Sequence, residues 1–142
     1  MSWFNGKRIV VPFDFSDEST NAVRLALQMA NRPDEVHVAH VLQELPATDP
    51  VVIWGQLDDE ARKRAIREQM ESLFAEQQIE GVQINVSIGN PSRMIADLAE
   101  EIEAGLIVIP SHGYSGVRRW FLGSVAERVV QLAACPVLVL KD

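Results

Sequence analysis

The chain has 142 residues, 47% of them hydrophobic and 23% charged, which fits a single domain spanning 1–142 around one core. With 13 basic against 20 acidic residues the net charge is −7, which argues against a basic face for nucleic acid or for an anionic membrane surface. One cysteine, Cys135, excludes an intramolecular disulfide and a cysteine-built zinc site.

Ile9 to Phe13 is a short continuous apolar run, the pattern of a strand covered on both faces in a parallel sheet. Asp17 to Asn31 then places Ala22, Val23, Ala26, Leu27, Met29 and Ala30 on one helical stripe, with Ser16 able to cap it. Val36 to Leu42 predicts a second strand. Gln43 to Gln56 is long for a connection and carries apolar Val51 to Trp54. It reads as a flap over a site, a partner surface, or a loop packed on its own domain.

Leu57 to Gln78 repeats apolar residues at helical spacing and pairs Asp58/Arg62, Asp59/Lys63, Glu60/Arg64 and Arg67/Glu71 four apart, a solvated helix face. Val82 to Ile88 alternates apolar with polar residues, as an edge strand with one wetter face does. Asn90-Pro91 opens a third helix, a cap followed by proline at the first helical position, and Gly105 is expected to close it. Leu106 to Pro110 is again continuous. Ser124-Val125-Ala126-Glu127 reads as a capping box for a helix to about Ala134, and Val137 to Leu140 predicts a fifth strand.

Strands alternating with helices predict an α/β fold with an open parallel sheet. In such sheets ligands bind beyond the carboxyl ends of the strands. Two exits carry chemistry. After strand one come Pro12, Phe13, Asp14, Phe15 and Ser16; after strand four come Pro110, Ser111, His112, Gly113, Tyr114, Ser115 and Gly116, with Gly123 and Ser124 opening a helix. Glycines that let backbone N–H groups approach an anion, followed by a helix N-terminus, suit a phosphate, although the same glycines also make ordinary turns. Asp14 and Ser16 have simpler uses as caps of the following helix. There is no GxxxxGK[ST] run, no GxGxxG after strand one, and no carboxylate at Ile88-Gly89-Asn90 of the kind a phosphoacceptor would need. His37 and His40 are expected to pack in or beside strand two, with no metal site.

Val10-Val11-Pro12-Phe13-Asp14-Phe15-Ser16, Ser111-His112-Gly113 through Gly123-Ser124-Val125-Ala126-Glu127-Arg128-Val129, and Cys135-Pro136-Val137-Leu138-Val139 together resemble the universal stress protein family. The resemblance implies a three-layer, Rossmann-like (HUP-type) open five-stranded parallel sheet of order 3-2-1-4-5, with helices on both faces. It also implies an ATP site, with or without Mg, or one for another adenine nucleotide. Pro12 and Val41 would line the adenosine pocket, and Asp14 would contact the nucleoside. Gly113, Ser115 and Gly116 would wrap the phosphates, with Ser124 and Val125 at the helix start and His112 on phosphate or orienting the loop. The family's nucleotide motif runs glycine, two residues, glycine, nine residues, then Gly-Ser or Gly-Thr. Gly113 and Gly123-Ser124 fit it; Pro110 stands where the first glycine would, and proline has no N–H.

No nucleophile–base–orienter set is visible, and phosphoryl transfer would need groups the exits do not supply. Binding without rapid turnover is therefore expected, any ATP hydrolysis being slow and incidental. Two functions follow. One is a regulatory module in which ATP orders the Ser111–Gly123 loop and biases a surface for an unknown protein partner. The other is a nucleotide-free interaction protein. Both are expected to be homodimers through the C-terminal strand Val137–Leu140. The short apolar runs and the absence of a visible targeting segment lead to the expectation of a cytoplasmic protein without membrane insertion.

Overall fold

The computed structural model describes residues 7–45, 58–111 and 123–141. In chain order the elements are β1 (Ile9–Pro12), α1 (Asp17–Met29), a 3-10 turn (Pro33–Glu35), β2 (Val36–Leu42), α2 (Asp59–Glu76), β3 (Gln83–Ile88), α3 (Pro91–Glu101), β4 (Leu106–Pro110), α4 (Ser124–Leu132) and β5 (Val137–Leu140). The five strands form one sheet of order β3-β2-β1-β4-β5, parallel at every pairing. The expected order and layering are thus observed.

Every residue of β1 and of β4 is buried, because both faces of the sheet are covered. Ile9, Val11, Val36, Val38, Leu106 and Val108 pack against Ala22, Val23 and Ala26 of α1 and Met70 and Phe74 of α2. Their neighbours Val10, Ala39, Val41, Ile107 and Ile109 face the other way, against Ile95 and Ala99 of α3 and Ala126 and Val129 of α4. Full burial of each Val, Leu, Ile, Met or Phe among them contributes about 1.5–3 kcal/mol. The period-two alternation of strand side chains therefore divides one apolar run between two cores.

Local chemistry sets most helix ends. Ser16 caps α1, its hydroxyl accepting from the Ser19 N–H at 3.1 Å. The buried Glu35 carboxylate accepts from the Asn31 N–H at 2.8 Å just beyond the C-terminus of α1. Asn90 caps α3 through the Arg93 N–H at 3.0 Å, with Pro91 at the first helical position as expected.

Three expectations need correction. The charges of α2 pair at three-residue spacing, Glu60–Lys63 at 3.0 Å and Asp59–Arg62 at 3.7 Å. Asp58 is spent on capping, accepting from the Ala61 N–H at 2.7 Å, so it does not pair with Arg62. Gly105 does not stop α3: the chain turns at Glu103, φ +55°, and the Ala104 N–H returns to the Ala99 carbonyl at 2.8 Å. Gly105 instead donates to the Arg8 carbonyl at 2.9 Å. Finally, Ser124 is not the cap of α4. Gly123 holds that position, its carbonyl accepting from the Glu127 N–H at 2.9 Å, and Ser124 is the first helical residue.

The edge strands are less sharply divided than their sequences suggest: the burial of β3 does not alternate, and the continuous apolar run of β5 has no buried residue. β3 is half-exposed along most of its length, and β5, the other edge, leaves Leu138 37% exposed, with Val130 of α4 at 46%.

Candidate functional site

A crevice of about 140 Å³ opens at the carboxyl ends of β1 and β4. Its position follows from the ladder. The described β1–β4 pairing covers Ile9↔Leu106 and Val10↔Ile107, whereas β1 stays paired with β2 to Pro12↔Ala39. Beyond Val10 the two central strands therefore separate, and side chains from both sides of the gap line the opening.

Of the residues the sequence singled out, Pro12, Phe13, Asp14, Val41, Pro110, Gly123, Ser124 and Val125 share this crevice. The two segments around residues 14 and 123 thus converge on one cleft. Ser16 and Ser111 do not line it. The Ser16 hydroxyl is engaged in capping α1 and in a short hydrogen bond to the Asp14 carboxylate. Ser111 is a backbone junction: its N–H donates to the Leu140 carbonyl at 2.9 Å and its carbonyl accepts from the Gly123 N–H. His112, Gly113, Ser115 and Gly116 lie outside the described residues.

Sequence reasoning missed Ser19, Ala39, Pro91, Ile95, Ile109 and Ala126, which complete the lining. Ala39 could have been found from Val41, since residues two apart on a strand share a face. Pro91 and Ile95 come from α3, whose first turns reach the opening.

The crevice has an apolar part and a polar part. Ala39, Val41, Ile95 and Ile109 form an apolar wall, suited to a flat, uncharged ring system. Asp14 stands at the rim, its Oδ1 accepting from the Ser16 N–H at 3.0 Å. That bond closes a turn of the kind aspartate favours and fixes the carboxylate beside the opening. Opposite it, Ser124, Val125 and Ala126 form the first turn of α4. The N–H groups of a first helical turn have no partner within the helix, and the positive end of the helix dipole adds about 0.3–1 kcal/mol for an anion. A molecule that joins an apolar ring to an anionic group suits this lining.

Among the described residues two titratable groups are perturbed, His37 and Cys135. Burial, reinforced by the Arg8 guanidinium, holds the His37 imidazole below its usual range, with Asp34 pulling the other way. Burial pushes the Cys135 thiol up, which disfavours the reactive thiolate. Neither residue lines the crevice. Among the described residues no group of three or more His, Cys, Asp or Glu side chains could hold a metal ion, and no helix is long and apolar enough to cross a membrane.

Comparison with known proteins gives a consistent pattern. Residues 6–141 match the Universal stress protein family. The chain is 37% identical over 139 residues to universal stress protein MJ0531 of Methanocaldococcus jannaschii, covering 95% of this chain and 82% of that one. Among solved structures it resembles UspA from Lactobacillus plantarum, with a TM-score of 0.70 and 25% identity over 96% of this chain and 99% of that one. It also resembles a universal stress protein from Archaeoglobus fulgidus in complex with dAMP, with a TM-score of 0.62 and 26% identity over 95% of this chain and 98% of that one.

Proposed function

Because this chain belongs to the universal stress protein family, we propose that it binds an adenine nucleotide, ATP first among them, in the β1–β4 crevice and acts as a dimeric regulatory module. The observation that carries this reading is the meeting of Asp14 and the first turn of α4 at one apolar-walled opening. The base lies against Val41, Ala39 and Ile95, the sugar reaches the Asp14 carboxylate, and the phosphates approach the N–H groups at Ser124 and Val125. Charge-assisted hydrogen bonds of about 1.5–3 kcal/mol each supply most of the phosphate affinity, since the dipole alone is too weak. The relative crystallised with dAMP supports an adenylate as ligand.

The chain's own groups bind and orient in this reading; they are assigned no bond-breaking step. Mg, when present, supplies charge neutralisation on the phosphates. Isothermal calorimetry with Mg-ATP and with AMP tests the reading. Saturable heat is expected, with a thermal upshift that grows with ligand concentration. No heat and no shift at millimolar ligand would reject it. Mass spectrometry of whatever the gently denatured protein releases identifies the preferred adenylate.

One observation favours a second reading, a nucleotide-free dimeric interaction protein: Pro110 lines the crevice where the family motif has a glycine. Both readings use the exposed edge strand β5, with Leu138 on its surface, as the dimer contact. Sedimentation at micromolar concentration is expected to show a dimer; a clean monomer would remove that element from both.

A further inference from the structure

The turn that carries Asp14 is held from behind. His40 lies in β2 between Ala39 and Val41, both of which line the crevice. Strand alternation therefore sends the His40 side chain to the opposite face of the sheet. It is 7% exposed there. Its Nδ1 lies 2.7 Å from the Phe13 carbonyl oxygen, and its ring meets the Phe15 ring edge-on with centroids 5.2 Å apart. A carbonyl oxygen only accepts, so Nδ1 carries the proton.

This contact falls where β1 leaves the sheet. The β1–β2 backbone bonds extend as far as the Phe13 N–H to the Ala39 carbonyl, at 2.7 Å. The carbonyl of that same Phe13 is met by the His40 side chain. Two residues on, Phe15 has φ +67°, a left-handed conformation that a bulky side chain adopts only where its surroundings impose it. Asp14 sits between these two constrained residues.

We propose that His40 is a positioning residue for the crevice: its Nδ1–H clamps the Phe13 carbonyl and its ring braces Phe15, so that the intervening Asp14 carboxylate is presented to the ligand. The identity of that ligand rests on the nucleotide reading above. The clamp itself can be read in the ligand-free protein.

Three variants separate positioning from simple stability. His40→Phe keeps a ring and removes the donor. His40→Asn offers an amide N–H near the position of Nδ1. Val38→Ala trims a core residue on the same face of β2, two residues earlier and beside Val11 in the ladder, and removes no hydrogen bond to the turn. In ligand-free protein, long-range ¹H–¹⁵N spectra should show Nδ1 of His40 protonated. The Asp14 and Phe15 amide resonances should move in His40→Phe and return toward their original positions in His40→Asn. By calorimetry with AMP, His40→Phe should weaken binding about ten-fold, His40→Asn should recover most of it, and Val38→Ala should stay within about two-fold of the parent.

An unprotonated Nδ1, or unmoved Asp14 and Phe15 resonances in His40→Phe, overturns the proposal. So does equal weakening in His40→Phe and Val38→Ala, or a His40→Asn no better than His40→Phe. Should the parent protein give no heat with AMP or Mg-ATP, the nucleotide reading fails, and the ligand-free spectra decide the clamp by themselves.

Discussion

Pro12 and Pro110 both line the crevice, and each stands at the position where its strand's amide would point into the gap between β1 and β4. The Phe13 N–H is directed to β2, at Ala39, and the Ser111 N–H to β5, at Leu140. Backbone amides alternate in direction along a strand, so the amide one residue earlier in each strand faces the space between β1 and β4. Proline has no hydrogen to offer there. The opening therefore lacks the two donors that would continue the ladder past Val10↔Ile107.

Replacing Pro110 with glycine should return one N–H to that space. Affinity for ATP is expected to rise about two- to ten-fold, the equivalent of one net hydrogen bond of about 0.5–1.5 kcal/mol. Thermal stability should fall, because glycine frees the unfolded chain at a cost of about 0.4–1 kcal/mol. Calorimetry and thermal melts read the two effects separately. An affinity that stays the same or drops would mean the position serves only as a wall.

Asp14→Ala removes both the proposed nucleoside contact and the turn acceptor for the Ser16 N–H. Loss of a charge-assisted bond of about 1.5–3 kcal/mol should weaken nucleotide binding at least ten-fold. Losing the turn bond should lower stability by about 0.5–1.5 kcal/mol. Asp14→Asn keeps an acceptor for the turn, so its urea midpoint should lie nearer the parent's while binding remains impaired.

Phe15→Gly sets opposing effects against each other. Relief of the left-handed backbone is worth about 1–2 kcal/mol. Against it stand two edge-on ring contacts, to Phe13 and His40, at about 0.5–1.5 kcal/mol each. Lost apolar burial and the greater freedom of glycine in the unfolded chain add to them. Net destabilisation of about 1–2 kcal/mol is expected by urea denaturation, the contacts outweighing the strain. A more stable variant would show the reverse.

His37 makes stability depend on pH. Its native pKa lies below the ordinary 6.5, so as the pH falls the unfolded chain takes up the proton first. Stability therefore rises with pH across the interval between the lowered value and 6.5. The contribution is whole above 6.5 and is lost as the pH falls through the native value. His37→Gln should flatten this part of a stability–pH curve measured by chemical denaturation. An unchanged slope would assign the dependence to other groups.

The alternation of strands and helices was legible in the residues themselves, whereas the order 3-2-1-4-5 came from the family resemblance. Ile9–Pro12 and Leu106–Pro110 are continuous apolar runs and fully buried, but Val137–Leu140 is equally continuous and forms an edge with no buried residue, so composition alone does not order the sheet. Asp14 and Gly123-Ser124 were legible as strand exits. Pro91 and Ile95 were not, because the path of α3 over the sheet depends on packing that no local pattern records. The cap of α4 was misplaced by one residue for a related reason: Gly123 and Ser124 are both acceptable caps, and only the path of the backbone chooses between them. That choice leaves Ser124 in the first turn of α4, among the crevice-lining residues.

Ser111 joins three parts of the molecule through its backbone alone, binding β5 through its N–H and Gly123 through its carbonyl. The chain thus leaves the described framework at Ser111 and rejoins it at Gly123 through one closed backbone junction. Because backbone atoms alone close this junction, side-chain replacements other than proline at Ser111 or Gly123 leave its donor and acceptor in place, and the span between β4 and α4 is fixed by main-chain chemistry.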